Sequence, residues 1–179
     1  EQIRTAEELH SQKTLLETVF RDVPDAMLLI DADRRIRMCN PAFTRMFGFE
    51  PDDVIGRTAE FLYESEEIYQ RDGCARVVAA GAEILDPYVI SYRHKNGELF
   101  PGETVASSLR AKNDDIIGFI AVIRDVGARL KAAREERGLD LTQVAAETRI
   151  PQRHLLTIEN GALSDLPART YAVGFSRTY

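Results

Sequence analysis

Five β-prone stretches lie between Ala26 and Arg124, two before a run of short helices and three after it, and this grouping restricts the fold more than any other feature of the chain. The early pair, 26–30 and 35–39, is separated by Asp31-Ala32-Asp33-Arg34, residue types that form tight turns, so the two read as a hairpin. In the first of the late three, Tyr88, Ile90 and Tyr92 alternate with Val89, Ser91 and Arg93 up to an Asn96-Gly97 turn. Strands over Leu99–Leu109 and Ile116–Arg124 follow, with Asn113-Asp114-Asp115 turning between them. Strands joined by tight turns, with the helices gathered into one block, describe an α+β domain rather than an alternating α/β one.

The helical block is punctuated by proline and glycine. Asn40-Pro41 supplies a cap and a first-turn proline, Ala42, Phe43, Met46 and Phe47 follow at helical spacing, and Gly48 ends the helix. Pro51 and Gly56 bracket one further turn. The pattern then predicts a helix from Glu64 to Ala80, with Ile68, Ala75, Val78 and Ala79 on one side. After Gly127 the chain reads as helical to its end.

Residues 1–22 contain no glycine or proline and are expected to form an amphipathic helix that stops before Val23-Pro24. Leu9, Leu16 and Val23 recur every seven residues, with Val19 between, the spacing of a coiled-coil seam. Two readings fit: a homodimer joined along Leu9, Leu16, Val19 and Val23, or a helix lying on its own domain. The chain opens at Glu1 and closes at Tyr179 inside a helical pattern, which reads as a fragment.

The net charge of −6 hides an asymmetry. Residues 1–126 carry 15 Lys/Arg against 23 Asp/Glu, whereas 127–179 carry 8 against 6, so only the second part suits phosphate binding. Cys39 and Cys74 form no CxxC pair, which predicts reduced thiols and neither a zinc site nor a disulfide. No stretch approaches the roughly 20 apolar residues of a membrane span. The expectation is a cytoplasmic protein with no membrane contact within this fragment.

Over roughly Leu15 to Val126 the chain resembles the PAS sensory family. The resemblance rests on Asp31-x-Asp33, Asn40-Pro41-Ala42-Phe43, Phe47-Gly48-Phe49 with Val54-Ile55-Gly56, Arg93-x-Lys95-Asn96-Gly97-Glu98 before Phe100-Pro101, and Gly118 with Ile123-Arg124-Asp125-Val126. It implies a five-stranded antiparallel sheet with short helices over a small pocket. Met27, Leu29, Phe43, Phe47, Tyr88, Ile90, Tyr92 and Ile120 are the lining candidates, and the same residues would serve as plain core. The ligand is unknown, and the reading is that no cofactor is held. A covalent flavin adduct needs a cysteine where Thr58-Ala59-Glu60-Phe61-Leu62-Tyr63 has none, and haem needs an axial His that 64–80 lacks. His94 reads as a solvated turn residue, and His10 lacks the setting of a phosphoacceptor. PAS domains that pass signals onward often end Asp-Ile/Val-Thr, where this chain has Asp125-Val126-Gly127.

Residues 128–161 carry helix-turn-helix spacing. Leu130 and Ala133 mark a first helix before Gly138, Val144-Ala145-Ala146 a second, Ile150 the turn, and Leu155 and Ile158 a third closed by Asn160-Gly161. The strings Ala133-Arg134-Glu135-Glu136-Arg137-Gly138-Leu139 and Ile158-Glu159-Asn160-Gly161 resemble Cro-like repressor domains. Thr148-Arg149-Ile150-Pro151, Leu166-Pro167-Ala168-Arg169-Thr170-Tyr171 and Gly174-Phe175-Ser176-Arg177-Thr178-Tyr179 are similar to the RodZ family of bacterial cell-shape proteins. Two outputs follow. In one, Gln152, Arg153 and His154 read DNA bases while Arg149, Lys131 and Arg134 meet phosphates. In the other, Tyr171, Phe175 and Tyr179, four apart, bind an actin-like cytoskeletal filament as the second resemblance implies. The expected whole is an α+β PAS fold over 23–126, after the 1–22 helix, followed by an all-α helix-turn-helix domain over 127–179 truncated at its C-terminus. It is expected to act as a non-enzymatic signal-sensing module, because no nucleophile-base pair, phosphate-cradling loop or metal constellation appears in the sequence.

Overall fold

The structure, a computed structural model, describes residues 2–75, 87–160 and 166, without the side chains of 2–7 and 75. Helix α1 (Gln2–Asp22) leads into the hairpin of β1 (Ala26–Asp31) and β2 (Ile36–Cys39). Helices α2 (Pro41–Phe47) and α3 (Pro51–Val54), a tight turn at Ala59–Leu62 and a single turn α4 (Glu66–Ile68) follow. Strands β3 (Tyr88–Arg93), β4 (Leu99–Arg110) and β5 (Ile116–Asp125) complete an antiparallel sheet in the order β2-β1-β5-β4-β3. Three helices close the described chain: α5 (Val126–Glu136), α6 (Leu141–Thr148) and α7 (Gln152–Glu159).

Asn40 ties the first elements together. Fully buried, it accepts from the backbone N–H of Phe43 at 3.1 Å, capping α2, and from that of Met27 at 2.9 Å. Its amide donates to the carbonyl of Asp25 at 3.0 Å. One short polar side chain thus sets both the start of α2 and its distance from β1.

Alternation along the strands sorts residues between two faces. The register places Leu28 opposite Ala121 and Ile30 opposite Phe119, on the face covered by the short helices, where Phe43, Phe47, Val54 and Leu62 pack. Phe47 lies between Phe43, Tyr92 and Phe100 with ring centroids 4.8, 5.6 and 5.1 Å away, an aromatic cluster that anchors this core. Met27 and Leu29 pair with Val122 and Ile120 on the outer face.

Of the helix expected from Glu64 to Ala80, Glu66–Ile68 form the single turn α4 and the backbone then widens into a π-helical turn over Tyr69–Ala75, while 76–80 lie outside the described residues. The wide turn brings Gly73 against Tyr63, where a Cβ would sit 2.7 Å from the Tyr63 hydroxyl and 2.8 Å from the Tyr69 ring, so a larger residue would have to displace these two side chains.

In the C-terminal part, Asp125 accepts from Ala128 N–H at 2.8 Å and caps α5 directly off β5. Asp140 and Gln143 cap α6 reciprocally at 2.8 Å each. Arg149 adopts a left-handed φ of 60° in the turn before α7. Val144, Ile150 and Leu155 form a core of their own, while Ile158 and Leu166 pack with Leu130 and with Val89 of β3.

Candidate functional site

Among the described residues, two features bear on the sensing and output expected from the sequence. The first is a cavity of about 30 Å³ between the sheet and the short helices, walled by Leu28, Ile30, Arg34, Ala59, Leu62, Tyr63, Gly73, Tyr88, Tyr92, Thr104, Ala106, Phe119, Ile120, Ala121 and Ile123. That volume holds a water or a molecule of a few heavy atoms. Hydroxyls line it. The Tyr92 and Thr104 hydroxyls are 2.7 Å apart, and the Tyr63 hydroxyl bonds to that of Tyr92, forming a relay of three. Burial holds both phenols above the ordinary tyrosine range, so they stay neutral donors and acceptors. Tyr88 reaches the carbonyl of Asp72 at 3.4 Å. Arg34 covers the mouth, stacked over the Phe119 ring at 4.0 Å and donating to the Gly73 and Cys74 carbonyls at 3.1 and 3.3 Å.

The second feature is the third helix of the C-terminal domain. At the N-terminal end of α7, Gln152 and Arg153 are exposed and His154 is half-buried. Its C-terminal end is packed against the sheet domain and α5. Exposed Arg149 and Lys131 lie on the turn and on α5.

A family model described as a PAS domain matches residues 24–128. The chain belongs to the PAS family. A second model, described as a helix-turn-helix domain, matches 129–179, so the PAS domain is followed by a helix-turn-helix and the chain is a signal-sensing module with that output. Among proteins similar to it is the sensor protein kinase WalK of Staphylococcus aureus (strain Newman), 24% identical over 165 residues, covering 87% of this chain and 24% of the kinase. The chain thus spans about a quarter of the length of such relatives. An RNA-binding light-oxygen-voltage receptor is 25% identical with a TM-score of 0.58, covering 75% of this chain and 37% of that one. The PAS domain of a LuxR-family transcriptional regulator from Burkholderia thailandensis, solved in complex with ethanol, is 26% identical with a TM-score of 0.50, covering 61% and 95%.

Of the eight expected pocket residues, the PAS cavity is walled by Tyr88, Tyr92 and Ile120. Ile120 alternates outward with Leu29, so what it presents to the cavity is backbone. Phe43, Phe47 and Ile90 are core residues away from the cavity wall. Met27 and Leu29 are corrected: they face outward, and Leu28 and Ile30 take the inner positions. The run Ala26–Ile30 is apolar on both faces, so nothing in it signals which parity points inward. Thr104, Tyr63 and Arg34 were missed because each reaches the cavity through register or turn geometry. The segment 58–63 forms part of the wall through Ala59, Leu62 and Tyr63. His94 is not a free turn residue; its ring stacks on Phe100 at 4.3 Å.

Among the expected DNA contacts, Arg134 is corrected. Its side chain is only 12% exposed and its guanidinium grips the Glu159 carboxylate, 3% exposed, at 2.7 and 3.0 Å, with a third N–H on the Leu139 carbonyl at 3.1 Å. A guanidinium spent on a buried carboxylate has no geometry left for a phosphate. Leu9, Leu16 and Val19 are 62%, 69% and 51% exposed on α1, and Val23 is half-buried. Tyr171, Phe175 and Tyr179 lie outside the described residues. No helix among the described residues is long and apolar enough to cross a membrane.

Proposed function

We propose that this is a non-enzymatic, homodimeric regulator in which the PAS domain senses a small uncharged hydrogen-bonding molecule and the helix-turn-helix binds DNA to control transcription. The observation that carries the DNA reading is the asymmetry of α7: Gln152 and Arg153 stand exposed at the end that enters a major groove, and the other end is buried. The modest positive balance of 127–179 calls for two copies to neutralise enough phosphate. Helix α1 supports that stoichiometry, since its apolar Leu9, Leu16 and Val19 face solvent in the single chain and a second α1 would cover them. For the sensed molecule, the supports are the cavity's size, its three linked hydroxyls, and the ethanol bound by the Burkholderia PAS domain.

The test of the output is gel retardation of duplexes selected from a random library. Arg153→Ala is expected to weaken retention by about 1–3 kcal/mol, and wild-type retention to fall steeply with salt. Failure of the intact protein to retain any duplex would overturn the DNA reading. A second reading, a protein-binding adaptor of the RodZ kind, is favoured by Leu156, 47% exposed on α7 next to the reading positions. On DNA that side chain would meet a thymine methyl; on a protein it would be an anchor. Leu156→Ala with unchanged DNA retention but lost partner binding would select the adaptor.

A further inference from the structure

Strand β5 runs into α5 without a linker, and the second residue of α5 is the buried Gly127. A Cβ on that residue would lie 2.6 Å from the Glu159 carbonyl oxygen, 2.9 Å from that of Ile158 and 2.9 Å from Pro101 Cγ. Two of these three neighbours are backbone at the end of α7, and the third belongs to β4, so no flexible side chain can swing away to make room. Three elements therefore meet over one missing side chain: the start of α5, the end of the DNA-reading helix and the PAS sheet. Around this point Ile158 is fully buried with Leu130 and with Val89 of β3, and the Arg134–Glu159 pair clamps the same end of α7 to α5.

The neighbouring residue leads to the cavity. Gly102 follows Pro101 on β4, pairs with Asp125 across the sheet, and lies under the Tyr92 ring so closely that a Cβ would come within 2.3 Å of it. Tyr92 is the central member of the hydroxyl relay in the cavity wall. A shift of that ring thus presses on backbone one residue from the contact that holds α7.

From this we infer that Gly127 is the seat of an intramolecular interface by which the PAS sheet fixes the pose of α7, and that any side chain at 127 unseats it. The inference rests on the sensor-to-output reading and adds its mechanism. The helix-turn-helix is not a tethered domain free to orient itself; its reading helix takes its direction from the sheet that walls the cavity.

Hydrogen-deuterium exchange on the full chain tests it without DNA. Gly127→Ala is the informative change, because in a helix free of neighbours alanine is the better helix former and would protect α5 and α7 as well or better. The seat predicts the opposite: exchange of the amides in 152–160 rises by about tenfold, the scale expected of one overpacked methyl group, with β1 and β5 amides unchanged. Val89→Ser, made on the sheet side and distant in sequence, is expected to raise exchange in the same segment. Should Gly127→Ala fail to fold, Val89→Ser decides by the same measure. Wild-type exchange of 152–160 in the folded variants would overturn the inference. Because this readout uses no nucleic acid, failure to bind DNA would count against the proposed output and leave the seat standing.

Discussion

Replacing Arg134 with alanine separates a structural from a DNA-contacting role for the most deeply placed cation described in the C-terminal domain. The substitution removes three N–H donations, two to Glu159 at 2.7 and 3.0 Å and one to the Leu139 carbonyl at 3.1 Å. It leaves a carboxylate that is 3% exposed without its cationic partner. Breaking one side of such a buried pair costs about 3–5 kcal/mol, because the remaining charge must be solvated or protonated in place. A domain whose whole stability is of order 5–15 kcal/mol would lose a large part of it. The melting midpoint of the helical part, followed by circular dichroism, is therefore expected to fall by at least about 12 °C. Arg134→Met combined with Glu159→Leu removes both charges and keeps apolar volume, and should recover most of that loss. On DNA, the salt dependence of retention by folded Arg134→Met/Glu159→Leu should match wild type, whereas a lost phosphate contact would lower the slope by about one. A shift of only a degree or two for Arg134→Ala, or a double variant no more stable than the single, would refute this account.

Tyr92→Phe keeps the ring over Gly102 but strips a hydroxyl from the Tyr63–Tyr92–Thr104 relay; the expected cost is about 1–2 kcal/mol in urea unfolding, and an unchanged midpoint would count against the relay. Asp125, half-buried at the start of α5, has its carboxyl pushed above the ordinary 3.8 chiefly by burial. In the pH window from 3.8 up to that raised value the folded state binds more protons than the unfolded one, so stability falls as pH rises. Asp125→Asn, which can still cap Ala128, should flatten this dependence in thermal melts across the window; an unaltered slope would contradict it. Leu16→Glu places a charge in the α1 seam and should convert dimers to monomers by light scattering, and a monomeric wild type at micromolar concentration would end the seam reading.

The strand boundaries, the Asn40 cap, the turns at 31–34 and 113–115 and the three C-terminal helices were all readable in the sequence. Each depends on residues a few positions apart: a cap reaches three residues ahead, a strand repeats every two, and a left-handed turn selects residue types such as Asp114 at φ 68°. Composition alone also separated an acidic sensory part from a slightly basic output part. What only the tertiary structure decided was which partner each side chain meets across long stretches of chain. The apolar run 26–30 offered no parity, and it took the register against β5, with an irregularity against β2 between Leu29 and Ile30, to turn Leu28 and Ile30 inward. Arg134 looked like any surface cation until folding placed Glu159 against it. The glycine at 127, which in sequence reads as a lost hydroxyl, became intelligible once the backbone of α7 arrived within van der Waals reach. Local rules follow from bond geometry and are written in neighbouring residues; burial and close approach depend on surfaces that exist only after the chain has packed.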